Sequence, residues 1–534
     1  MKKETKNIIA FFILLLASIM MVGSVYYSTK YSKQEFDQII YYLLNGVENT
    51  SPSVIKSIIG YCIIPLILLC TFLCIISLQK TKNNIYLILK TKKKQVKIQI
   101  YPIKIIANHR KIYLTIVFLT ALIMTIHGFK IDKYIKNRFQ ETKIYDEYYA
   151  DGREKQITFP EKKRNLIIII AESLENSTLS KENGGAWPYS IMPELEQLAM
   201  ENTNFSNTDK IGGAYQLGIT SFSAGGIVAT TAGIPLQTRN ILTDINVYKG
   251  NGNYLGGAYT LGDILKNEGY NLEVIMGSDG NFGGRTQYFN AHGQYKIFDV
   301  NYAIENGKMT DAEKVWWGFE DDRLFMWSKE EITELAKENK PFNYIMLTAD
   351  THFVDGYLSK NAENKFNLQY ENVHAYSSKL INDFVEWLKE QDFYENTTIV
   401  IVGDHLGMQD DFYKTNVDNT YTRTVYNAII NPAVKTTNNK NRIFTNLDFY
   451  PTILASIGVN IEGNRLGLGT NLYSQEPTLA EKFGFLNLDQ ELKKNSSFYN
   501  NKLLGDDYYV MKKNTQKESE VKNEENINNN TSIQ

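Results

Sequence analysis

The chain has 534 residues, 43% apolar and 22% charged, a near-average globular composition that excludes disordered and fibrous classes. Its net charge of −2 argues against a broad cationic surface for nucleic acid, and the length sets a prior of about three to four domain-sized units. The three cysteines, Cys62, Cys70 and Cys74, share one apolar stretch, so everything after residue 130 lacks disulfides and cysteine-ligated zinc or iron–sulfur centres.

Residues 1–130 read as a membrane anchor. The run 8–27 carries no charge and matches the roughly 20 residues that cross a hydrocarbon core as a helix. A second run covers 57–78, with Pro65 tolerable inside a bilayer helix, and a shorter third covers 112–129. A cleaved signal peptide is disfavoured, because no small-residue cleavage pattern follows Tyr27 and two further runs come after it. Between runs two and three lie ten basic residues (Lys80, Lys82, Lys90, Lys92, Lys93, Lys94, Lys97, Lys104, Arg110 and Lys111) and no acid. The positive-inside rule then places this loop and the N-terminus in the cytoplasm, and everything beyond Phe129 outside.

The stretch 131–163 is charged and tyrosine-rich and reads as a linker. Residues 164–475 alternate β-branched runs with amphipathic segments, the pattern of an α/β domain with a central, mostly parallel sheet flanked by helices. Strands are expected at 165–173, 271–279, 342–350 and 397–405, and helices at 259–270 and 372–391. Residues 476–534 form a C-terminal extension with a polar, low-complexity tail from about 511.

Each of the four strands ends in a carboxylate or histidine: Glu172, Asp279, Asp350 followed by His352, and Asp404 with His405. Open α/β sheets bind ligands beyond the carboxyl ends of their strands, and carboxylates crowded with imidazoles call for a divalent cation between them. The segment 212–236 is rich in glycine and hydroxyls, and its small residues from Ser223 to Gly233 fit a closely packed helix whose N-terminus would face an anion. A hydroxyl beside a divalent ion becomes a nucleophile without a histidine base, and no G-x-S-x-G elbow is present. The GNGNYLG segment at 250–256 has the wrong spacing for a dinucleotide fingerprint and reads as a turn-rich loop. Walker A and H-E-x-x-H sequences are absent.

The pieces NLIIIIAESLE (165–175), GITSFSAGGIVATTAGIPL (218–236), WWGFEDDRLF (316–325), LTADTHFVDGYLS (347–359), VIVGDHLGM (400–408) and 447–474 together resemble the alkaline phosphatase/sulfatase superfamily. Within it, the chain looks like the lipoteichoic acid synthase and phosphoglycerol transferase I group, and the GIPL, WGxxDDxLF and DTHxxxGYLS pieces look closer to the latter. The C/S-x-P-x-R modification motif of sulfatases is absent.

The resemblance implies that Glu172, Thr220, Asp404 and His405 bind one divalent ion, Mn²⁺ or Mg²⁺ rather than Zn²⁺. It implies covalent modification of Thr220, preferred to Ser221 and Ser223 for its distance from Gly233 in the G-[IL]-P turn. Arg285 and His352 match the family's glycerol-phosphate contacts, with Asp350 and Trp317 lining the site. A structural place under a helix is the competing role for Trp317. Where lipoteichoic acid synthases carry a tryptophan just before the arginine, this chain has Gly283-Gly284. The implied enzyme is a transferase in the cytoplasmic (inner) membrane with an extracytoplasmic catalytic domain. It would move glycerol-phosphate from phosphatidylglycerol in the lipid bilayer to a glycan or glycolipid acceptor. The rivals are a phosphoethanolamine transferase, a phosphodiesterase and a non-catalytic membrane scaffold. Phosphoethanolamine transferases generally use more histidines and disulfides, whereas the outer region here has only His292, His352, His374 and His405.

Overall fold

A computed structural model of the protein describes residues 3–31, 34–45, 52–77, 85–90, 95–101, 103, 106, 108–237 and 254–504. The loop expected at 250–256 (up to residue 253), much of the basic segment between the second and third apolar runs, and the tail from about 511 lie outside the described residues. The chain forms two compact units, Met1–Phe36 with Thr50–Lys136, and Asp37–Asn49 with Asn137–Gln534.

The first unit contains helices α1 (Lys3–Lys30), α2 (Pro52–Ser77) and α3 (Arg110–Gly128), each covering an apolar run. All three are long and apolar enough to cross a membrane. They pack through Leu14, Ala17, Leu73, Val117 and Ala121, the small alanines allowing close approach. Arg110, at the start of α3, donates to Ser77 (3.1 Å) and Asn7 (2.7 Å) inside the unit. Strands β1 (Ile85–Lys90) and β2 (Gln95–Tyr101) pair as an antiparallel hairpin, an element the charge pattern of this loop did not suggest.

The second unit is built on a six-stranded sheet. Its strands are β3 (Asn165–Ala171), β4 (Asn271–Met276), β5 (Lys296–Phe298), β6 (Phe342–Leu347), β7 (Thr397–Gly403) and β8 (Asn427–Ile430), in the spatial order β5-β4-β6-β3-β7-β8. All neighbours are parallel except β8, which runs antiparallel to β7. Alternate residues of β3 feed opposite faces. Leu166, Ile168 and Ile170 join Val400, Val402 and Ile345 on one side, and Ile167 and Ile169 join Ile399, Ile401, Tyr344 and Met346 on the other. A sheet buried on both faces explains why these strands read as unbroken apolar runs.

The register sets Ile170 beside Leu347 and Ala171 beside Gly403, so β3, β6 and β7 deliver the residues after them to one edge. Helix α4 (Ser223–Ala232), all small or β-branched, lies behind that edge and ends on Gly233 in the left-handed region (φ 64°). Helices α5 (Asp321–Lys337) and α6 (Gln369–Lys389) also flank the sheet. The stretch 131–163 divides between the units: Ile144 and Tyr145 are buried in the second unit's core, and Ile157–Thr158 pairs with Asn460–Ile461. Leu479, Leu488 and Leu492 of the C-terminal extension enter the same core.

Candidate metal centre and cleft

Glu172, Asp404 and His405 come together at the carboxyl edge of β3 and β7, with one ligand atom from each within 4.8 Å of the others. His405 Nε2 lies 3.4 Å from Glu172 Oε1 and 3.3 Å from Asp404 Oδ2. All three are buried. The backbone fixes their orientation. Asp404 Oδ1 accepts the amides of Ser173 (2.8 Å) and His405 (2.7 Å), which leaves Oδ2 for the cluster. His405 Nδ1 lies 2.9 Å from the Leu406 carbonyl, so Nδ1 carries the proton and Nε2 presents its lone pair inward. Glu172 is held at its own backbone, its amide donating to Thr348 (3.0 Å) and its carbonyl accepting from Thr351 (2.5 Å).

The electrostatics describe a site poised for a cation. Burial opposes charge on Glu172, but the imidazoles of His405 and His352 and the hydroxyls of Ser173 and Ser223 hold its carboxyl below the usual range. Burial, then the charge of Glu172, pushes Asp404 up to about 7. Burial works against protonation of His405, yet Asp404 and Glu172 raise it. Two carboxylates, one imidazole lone pair and a hydroxyl fit a divalent ion, and an oxygen-rich set suits a hard one.

That hydroxyl belongs to Ser223. Its Oγ donates to Glu172 Oε2 at 3.0 Å and lies 3.4 Å from His405 Nε2, at the first residue of α4. The structure does not bring Thr220 to the cluster. Thr220 is fully buried in the short turn Gly218–Thr220, where its hydroxyl donates to the Leu217 carbonyl at 3.0 Å. Ser221 likewise turns back to Gly218 (2.8 Å). The physical reason is the bend before α4: one turn of 3-10 helix points Thr220 into the core, and the extended Phe222 (φ −155°, ψ 156°) re-aims the chain at Ser223.

A cleft opens from Ser223, lined by Glu172, Asp404, Ser278, Phe282, Arg285, Trp317, Ala349 and His352. Arg285 is held at the rim by the Asp279 carbonyl (2.7 Å), the Phe282 carbonyl (3.0 Å) and Ser278 Oγ (3.0 Å). Burial holds His352 below its usual range, which keeps the ring neutral near pH 7. Trp317 forms a wall of the cleft, its ring 4.9 Å from that of His352 and 5.2 Å from Phe282. Asp350 is brought near the cleft without lining it. Its Oδ2 accepts the Asp321 amide at 3.2 Å, and burial beside Asp321 pushes its carboxyl well above the usual range. Asp279 accepts the Asn281 amide and shapes a turn. His292 is spent on Asp263 (2.9 Å) and the Tyr254 carbonyl (2.7 Å).

The sulfatase family pattern matches residues 164–459. Phosphoglycerol transferase I of Escherichia coli is 30% identical over 283 residues, 50% of this chain and 34% of that protein, so the match spans only about a third of the relative's length. Among solved structures, the chain resembles a protein in the alkaline phosphatase superfamily from Vibrio parahaemolyticus, at 23% identity and a TM-score of 0.44 over 57% of this chain and 68% of that one. It also resembles the integral membrane protein lipooligosaccharide phosphoethanolamine transferase A from Neisseria meningitidis, at 11% identity and a TM-score of 0.47 over 86% and 85%.

Proposed function

The chain belongs to the sulfatase family, and from that membership we propose that it is a membrane-anchored phosphoglycerol transferase with Ser223 as its nucleophile. The observation that carries this reading is the Ser223 hydroxyl, 3.0 Å from Glu172 at the head of α4 and open to a cleft shared with Arg285 and His352. A divalent cation on Glu172, Asp404 and His405, Mn²⁺ or Mg²⁺ by its donor set, would ease loss of the Ser223 proton and offset phosphoryl charge.

In the first step the Ser223 Oγ–P bond forms as the P–O bond to diacylglycerol breaks, the serine proton leaving with the diacylglycerol oxygen. In the second, a hydroxyl of a glycan or glycolipid displaces Ser223 and returns the proton to it. Arg285 binds the phosphoryl oxygens throughout, with His352 beside it on the cleft wall, because phosphoryl transfer is catalysed mainly by positioning and charge stabilisation. Names of the relatives support glycerol-phosphate as the group moved. The three apolar helices and the basic loop support a multi-pass anchor with the cleft outside the cytoplasm.

The test uses full-length protein with phosphatidylglycerol or phosphatidylethanolamine labelled in the headgroup. Diacylglycerol release from the former, with a glycerophospho adduct on Ser223 by mass spectrometry, is the expected result. Release from phosphatidylethanolamine alone would reassign the donor. Ser223→Ala abolishes release and adduct, with a loss on the order of 10³-fold or more, while Thr220→Ala keeps most of both. The opposite pattern would restore Thr220 as the nucleophile.

A further inference from the structure

Glu172 and the Asp404–His405 pair sit on two separate loops, and with no cation between them the Glu172 and Asp404 carboxylates repel one another. A buried ion pair behind the cluster opposes this. Arg423, just before β8, donates Nε to Glu175 Oε1 at 2.8 Å and pairs through Nη2 with Glu175 Oε2. The same Nη2 donates to the Gly407 carbonyl at 2.7 Å, and the Gly407 amide donates to Glu175 Oε2 at 2.8 Å. Glu175 stands three residues after Glu172, and Gly407 two residues after His405, so one guanidinium grips both ligand-bearing loops. Both side chains are almost wholly buried, 7% and 0% exposed. The guanidinium face rests 3.8 Å from the Tyr413 ring centre, which fixes its plane. Gly407 is closed in from the other side, since a Cβ there would lie 2.1 Å from the Tyr413 hydroxyl.

We infer that Arg423 is a positioning residue: its fork on Glu175 and Gly407 holds the Glu172 loop and the Asp404–His405 loop in register before any cation binds. The inference rests on the reading that those three residues are the cation's ligands. A planar fork is essential to it, because Nε and Nη2 meet the two carboxylate oxygens from separate, coplanar positions, whereas lysine offers all its donors from one nitrogen. Partners that orient ligands without touching the metal typically contribute 10- to 100-fold in affinity.

The experiment titrates Mn²⁺ alone into the full-length protein in detergent, followed by electron paramagnetic resonance of the free ion. Arg423→Lys is expected to bind Mn²⁺ about 10- to 100-fold more weakly than wild type and to recover most of its turnover at saturating Mn²⁺. A folded Arg423→Lys with lower melting temperature but Mn²⁺ affinity within about twofold of wild type would make the pair merely structural and overturn the proposal. Should the variant fail to fold, metal-free wild-type protein decides. The Gly407 amide is expected to exchange hydrogen slowly without Mn²⁺, and exchange as fast as in an exposed loop would overturn the clamp. Wild type that binds no Mn²⁺ while Gly407 stays protected would sink the metal reading and leave the clamp standing.

Discussion

A Cβ on Gly226 would lie 2.3 Å from the carbonyl oxygen of Asp404, so this glycine sets how closely α4 can approach the ligand loop. Because the obstacle is backbone rather than a flexible side-chain end, Gly226→Ala has to move either Ser223 or Asp404. Overpacking of this kind costs about 1–3 kcal/mol, and the displaced ligands should weaken Mn²⁺ binding together with diacylglycerol release. Urea denaturation and Mn²⁺ titration of the variant check this; unchanged values for both would show that the helix yields freely. The same residue scale decides what the sequence could disclose about the site. Glu172, Asp404 and His405 are legible because each directly follows an apolar strand, and a strand end fixes direction as well as position. Ser223 was harder to read, since Thr220, Ser221 and Ser223 crowd one segment and only the local backbone separates them. The sequence signal that accords with the proposed role of Ser223 is the small-residue helix starting at Ser223 itself, because a helix N-terminus favours a bound anion such as a phosphoryl group. The roles of Glu175, Arg423, Thr348 and Thr351 were not readable, since they exist only across contacts between distant segments.

At the scale of elements, the four central parallel strands were readable because burial on both faces turns them into apolar runs. The edge strands β5 and β8 were not, being three and four residues long, too short for periodicity to register. Helix α6 carries a buried group that the sequence left without a role, His374. Neither ring nitrogen has a hydrogen-bond partner among the described residues, and the ring stands edge-on to Tyr370 at 4.5 Å. Burial pulls its pKa down to about 4, against the opposing pull of Glu175 and Glu172. In the unfolded chain it titrates near 6.5. Between these values the unfolded state binds more protons, so stability is full above about pH 6.5 and falls as the pH drops toward 4, by roughly 3 kcal/mol in all. His374→Phe keeps the edge-to-face packing and removes the proton. Its urea midpoint should fall less than that of wild type between pH 7 and 4.5, and parallel declines would rule out His374 as the source.

At the scale of the whole molecule, the proposed function requires that the cleft reach a donor lipid in a membrane. A donor that never leaves the bilayer is best met by a tethered domain, because tethering replaces bulk concentration with an effective one in the millimolar range. The helices α1, α2 and α3 supply the means, each long and apolar enough to span. On the proposed reading three crossings would leave the residues after α3 across the membrane from the N-terminus, and the eight basic residues between α2 and α3, with Arg110 and Lys111 at the start of α3 and no acid among them, would make their side the cytoplasmic one. Single-cysteine variants test the choice in a chain whose own cysteines, Cys62, Cys70 and Cys74, are changed to serine. Lys266 is exposed in the second unit, so Lys266→Cys should react with a membrane-impermeant maleimide on intact cells. Lys92→Cys, in the basic loop, should react only after the membrane is permeabilised. The reverse labelling would place the cleft in the cytoplasm, away from any extracytoplasmic acceptor, and the transferase reading would need a different second substrate.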